Sequence, residues 1–172
     1  MVWLGAALVV LADGKRGLAL GTALAAAGLA LLTWLDAGPV AALLIGTGGL
    51  VAAARRLMTG ASGWGVMPPG STPRIILSVA GGLIALWIAL GVMGGPGAAL
   101  RFSVLTAVGL AVARVLSSGV AEVQLSAAAL VALGIAAAAT IDPSTSPVWP
   151  SLVAAVIAAG MGWIPVRVQR AA

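Results

Sequence analysis

Residues Ile75–Met93, IILSVAGGLIALWIALGVM, run for nineteen positions without a charge, with Arg74 at one end and Gly94-Gly95-Pro96 at the other. As a helix the run rises about 28 Å, close to the hydrocarbon thickness of a bilayer. Water solvates such a run poorly, and a small soluble domain has no core large enough to hide it on every side. The stretch is therefore expected to be a transmembrane helix, flanked on both sides by apolar helical hairpins.

The rest of the composition agrees. Of 172 residues, 62% are hydrophobic and 8% charged, whereas soluble domains carry about 25% charge. Too few polar residues remain to cover a water-facing surface, so one transmembrane domain, 1–172, is expected. The net charge of +5 does not point to nucleic acid, because no basic patch with interleaved aromatics exists. Cysteine and histidine are absent, which removes disulfides, Cys/His zinc sites, iron–sulfur clusters, His-ligated haem and Ser-His or Cys-His catalysis. No cofactor or metal is expected. Val2–Ala12 does not read as a cleavable signal, since no positive residue precedes it and Asp13-Gly14-Lys15-Arg16 follows it.

In chain order, Val2–Ala12 is too short to cross a bilayer alone, and either thins the membrane, packs inside the bundle or starts further upstream. Gly17–Leu35 follows, with Gly17, Gly21 and Ala25 in a row that lets a neighbouring backbone approach. Asp36–Pro39 makes a turn. Pro39–Ala54 carries Gly46, Gly48 and Gly49, which either loosen the helix or admit a crossing helix, and it stops at Arg55-Arg56. Leu57–Thr72 is the longest loop, kept from helix by four glycines and two prolines. Its Trp64, Val66 and Met67 suggest a docking or interfacial loop, with an inert linker as the alternative. After the central helix, Ala98–Leu116 holds Arg101 and Arg114 near its ends, about 20 Å apart, read as snorkelling anchors. Val120–Ile141 has Glu122 in its first turn, where a carboxylate suits the helix N-terminus and a local ion pair with Arg114 is expected. Glu122 is the only Glu in the chain, so a proton- or cation-linked role is the sharper alternative. Ser151–Ile164 is the last segment.

Basic residues alternate between loops. Lys15-Arg16, Arg55-Arg56, Arg74, Arg114 and Arg167/Arg170 fall on one side, and only Arg101 on the other. The positive-inside rule makes the first side cytoplasmic, with Trp34 and Trp149 at the outer interface and Trp163 at the inner one. The expected fold is an all-α integral membrane bundle of seven transmembrane helices, N-terminus outside and C-terminus cytoplasmic, or six if the first run does not cross. Gly28 and Asp36 recur as Gly134 and Asp142 at one offset, suggesting parallel halves 1–56 and 98–170 linked by 75–93. This three-plus-one-plus-three layout resembles the plan of the SWEET sugar transporters in architecture alone; their Pro-Gln signature is absent. Rhodopsin-like retinal chemistry is excluded, because the last helix has no lysine.

No paired carboxylates lie within a span, and Gly60–Gly65 lacks the Lys-Ser/Thr of a phosphate loop. Arg55-Arg56 with Arg74 are the only candidates for holding a phosphate, and the positive-inside rule already accounts for them. The chain is expected not to be an enzyme. It reads as a multi-pass protein of a prokaryotic plasma membrane (a cell inner membrane), in contact with lipid and other membrane subunits. Two functions follow: a non-catalytic subunit of a larger membrane complex, packing through Gly/Ala-rich helices, or a small transporter or substrate-binding transport component. In the second, Thr22, Thr47, Ser78, Ser103, Thr106 and Ser126 would line a polar path, unless they bond back to helix carbonyls.

Overall fold

The computed structural model of the protein describes residues 1–59, 62–67, 69–91, 97–142, 144 and 146–164. Among these, seven helices follow in order: α1 (Val2–Leu11), α2 (Lys15–Ala37), α3 (Pro39–Met58), α4 (Thr72–Gly91), α5 (Ala98–Ser117), α6 (Ala121–Ala139) and α7 (Val148–Met161). The described residues form no strand beyond one isolated antiparallel bridge between Ala12 and Val66. Four helices, α2, α3, α5 and α6, are long and apolar enough to cross a membrane. The remaining apolar stretches, Val2–Leu11, Thr72–Ile88 and Val148–Met161, are shorter. Val92 and Met93, the end of the long run that anchors the sequence reading, lie outside the described residues.

Local chemistry sets the breaks. Gly38 takes φ +89, which ends α2 at little steric cost, and Pro39 opens α3 at a position where its missing N–H is no loss. The paired arginines do not stop α3: the helix runs through Arg55 and Arg56 to Met58, because cations suit a helix C-terminus. The intervening loop is correspondingly shorter than the glycines and prolines of 57–72 suggest.

The bundle is built on close backbone approaches. A Cβ added at Gly5 would lie 2.6 Å from the Gly21 carbonyl oxygen and 2.9 Å from Ala25 Cα, so α1 and α2 meet with no room for a methyl group. The neighbour that uses the Gly21 and Ala25 row is thus α1. The glycines of α3 admit crossing helices rather than loosening it: Gly48 faces Ala155 of α7, and Gly49 faces Ala26 of α2 and Leu133 of α6. Buried Leu29, Ile45, Leu130 and Leu133 fill the centre. On the edge, α4 packs on α1 and α5 and leaves Ile76, Val79, Leu83 and Trp87 outward. Trp3 ties it to α1, its indole N–H donating to the Ser78 carbonyl at 3.2 Å.

α1 packs within the bundle, antiparallel to α2, and covers α2 only from the Ala12–Gly14 turn up to Gly28, which sits against Val2. The same contact recurs between α5 and α6, where Gly134 sits against Val108. Val2 and Val108, like Gly28 and Gly134, are 106 residues apart, and the ends of α1 and α5 and the starts of α2 and α6 keep that spacing. Across the middle, α1 packs on α5, α2 on α6 and α3 on α7.

Candidate functional site at the basic end of the bundle

Both ion pairs among the described residues converge on Asp13, in the turn between α1 and α2. Arg74, at the start of α4, donates to Oδ2 at 2.9 Å, and Arg114, in the last turn of α5, donates to Oδ1 through a short contact. Arg114 also reaches the Ala12 carbonyl at 3.4 Å and is only 1% exposed. One carboxylate therefore joins three parts of the chain distant in sequence. The pattern corrects two expectations. Arg114 does not snorkel toward water, and its ion-pair partner is Asp13, not Glu122. The turn that would have brought Glu122 to Arg114 is closed by Gln124, whose amide donates to the Val115 and Ser118 carbonyls at 3.2 and 2.6 Å.

The segment 62–67 lies over this turn. Asp13 N–H donates to Gly65 O (3.0 Å), Arg16 N–H to Gly63 O (3.2 Å) and Met67 N–H to Leu11 O (3.0 Å). Gly63 at φ +100 and Gly65 at φ +51 let the strap turn, and Gly14 fits beneath it, where a Cβ would lie 2.6 Å from Gly63 O. The strap thus holds to its own chain by backbone. Its side chains point away: Trp64 is 52% and Met67 55% exposed. The docking residues read from the sequence are presented to the surroundings, beside Lys15 and Arg16.

A second cationic group lies at the same end. Arg55 stacks on Trp163, 3.8 Å from the ring centroid, which is within cation–π range. Its neighbour Arg56 is 5% exposed and feels the charge of Glu122, though the two form no ion pair. Glu122 is half-buried in the first turn of α6. Arg101 lies in the first turn of α5, at the opposite end from Arg114, and joins neither group. Also at that opposite end, the exposed Asp142 accepts from the Ser144 hydroxyl and amide at 2.7 and 2.9 Å, and these bonds hold its carboxyl below the usual range.

Sequence reasoning missed Asp13 as the hub and Arg56 as a buried cation. The available signal for Asp13 was its sign: it stands among the basic turns, where an acid runs against the charge pattern.

Hydroxyls do not gather into a path. Thr22, Thr47, Ser78, Thr106 and Ser126 each donate to a carbonyl of the preceding turn at 2.6–2.9 Å. Among the described residues no cluster of acids could hold a metal ion. A concavity of about 650 Å³ opens outward between α5, α6 and α7 and is lined by apolar residues including Val112, Leu116, Val131, Ile135, Val153 and Ile157. Comparison with known protein families, curated proteins and solved structures finds no match for this chain.

Proposed function

We propose that the chain is a multi-pass cell-membrane protein that serves as a non-catalytic subunit of a larger membrane complex. In this reading the end carrying Asp13, Arg56 and Arg74 faces the cytoplasm, following the positive-inside rule. The seven-span arrangement, N-terminus outside and C-terminus cytoplasmic, belongs to the proposal, as does its six-span variant without α1.

The observation that carries the subunit reading is the groove between α5, α6 and α7. It opens outward, and its lining along α7 is almost wholly apolar from Trp149 to Met161. Along α7 that is about 18 Å of helix, long enough to seat an apolar transmembrane helix of another subunit. The Gly/Ala faces, first read as partner surfaces, are occupied within the chain, at Gly5 with Gly21 and at Gly48 with Ala155. Partner contact therefore moves to the groove. Cross-linking from a photoreactive residue at position 157 in intact membranes should capture a second protein at fixed ratio, and Ala132→Trp should abolish that adduct. Cross-linking to lipid alone would count against the subunit reading.

One observation favours a small transporter as the second reading: the contact of Val2 with Gly28 repeats as that of Val108 with Gly134, as in parallel repeats. Against it stands the packing between the halves, where Leu29, Ile45 and Leu133 are fully buried and the Thr22 and Thr106 hydroxyls are bonded back to their own helices. The two readings separate on purification in mild detergent. A homodimer without other proteins, active in uptake, supports transport; co-purification of a partner at constant ratio supports the subunit.

A further inference from the structure

The arginine pair at the end of α3 has no acceptor among the described residues. Arg56 is 5% exposed, yet its Nε, like that of Arg55, has no hydrogen-bond partner, and the ion pairs among the described residues are both made by Asp13. A guanidinium carries five N–H donors and keeps its charge at any physiological pH, so burying it without an acceptor is costly. The positive-inside rule explains why cations collect at this end. It does not explain burial, since that rule places charge among hydrated headgroups.

The surroundings favour an anion. Arg55 is fixed against Trp163, which holds its guanidinium beside the end of α7. Glu122, on α6, is the acid that acts on Arg56, but only through its field. The α6 N-terminus that carries Glu122 has no side-chain cap, so its first amides add positive potential. Two cations, one open helix start and one carboxylate with no ion pair among the described residues leave a net positive charge.

From this we infer that Arg55 and Arg56 form a binding site for a phosphate group, the shared chemistry of an anionic lipid headgroup and of free phosphate. Arg56 supplies the planar fork that grips two phosphate oxygens, and Arg55 the second cation. Glu122 opposes the anion and limits its affinity. The site stands independently of the subunit reading.

The test uses the full chain, stripped of lipid in detergent, with the thermal unfolding midpoint followed during titration. Inorganic phosphate and phosphatidylglycerol are the two probes, and phosphatidylcholine is the control of no net charge. A ligand that binds only the folded state raises the midpoint with the logarithm of its concentration above its dissociation constant, by a few degrees at about a hundred times that constant. A rise with inorganic phosphate supports the site and identifies a free anion as sufficient; a rise with phosphatidylglycerol alone supports it and identifies the headgroup. In either case Arg56→Gln should weaken binding at least tenfold, and Glu122→Gln should tighten it. Arg56→Lys, which keeps charge and volume but loses the fork, should weaken binding severalfold and gives a reading even if Arg56→Gln does not fold. The site is refuted if neither probe moves the midpoint, or if Arg56→Lys and Arg56→Gln respond as the wild type does. It is equally refuted if Glu122→Gln destabilises the protein as much as Arg56→Gln with no anion present, because Arg56 is then paired with Glu122.

Discussion

Asp13→Asn is expected to destabilise the folded chain by about 2–4 kcal/mol, more than any other loss of a single charge. The substitution hardly changes shape. It leaves Arg114, 1% exposed, with a neutral amide and the Ala12 carbonyl at 3.4 Å in place of a carboxylate. Removing one member of a buried pair strands the other, which is why the effect exceeds that of a surface ion pair. The lower part of the range applies because Asp13 itself is about one-third exposed. Arg74→Gln removes the arm of the same cluster that is about one-third exposed and should cost only about 0–1 kcal/mol. Arg114→Met removes the buried charge together with the need to neutralise it, so it should cost less than Asp13→Asn. The double variant should be more stable than Asp13→Asn alone. Unfolding in mixed micelles measures all four, and additivity of Asp13→Asn with Arg114→Met would show that the two residues do not interact.

Gly5→Val should cost about 3 kcal/mol or more, by overpacking where no side chain can yield. The atoms a Cβ would meet, Gly21 O and Ala25 Cα, belong to the backbone of α2, so relief requires α1 to lift away. That would also disturb Trp3 on Ser78 and the turn that holds Asp13. Gly109 is the control. It lies inside α5 with nothing within 4 Å of a built Cβ, so Gly109→Ala should be neutral or stabilise by up to about 1 kcal/mol through helix propensity. Equal effects of the two changes on the unfolding midpoint would remove close helix contact as the basis of the fold.

Helices were legible in the sequence because they are local. Apolar runs with Gly and Pro between them place α2, α3, α5 and α6 within a few residues, and the Gly38-Pro39 break falls where the chemistry of those two residues puts it. The small-residue row on α2 was legible too, although its occupant was not: nothing local says that Gly5 seats against Gly21. The basic end was legible as a charge pattern and illegible as a set of pairs. Asp13 and Arg114 are 101 residues apart, and no period links them. Glu122 looked like the partner of Arg114 because it is near in sequence, but Gln124 takes the intervening carbonyls and Arg114 faces inward. Likewise the burial of Arg56 depends on how α3 meets its neighbours, which charge counting does not reveal.

That the apolar helices lie in lipid is directly testable, because the chain has no cysteine. Single cysteines at Leu50, Leu83 and Ile135, outward-facing on α3, α4 and α6, would be treated in intact membranes with a water-soluble, membrane-impermeant maleimide. Cysteines at Asp36 and Ser62 would mark the two ends. The expected result is no labelling of the three helix positions, labelling at Asp36 from outside, and labelling at Ser62 only after the membrane is opened. Rapid labelling at Leu50, Leu83 and Ile135, or recovery of the protein in the soluble fraction, would contradict it.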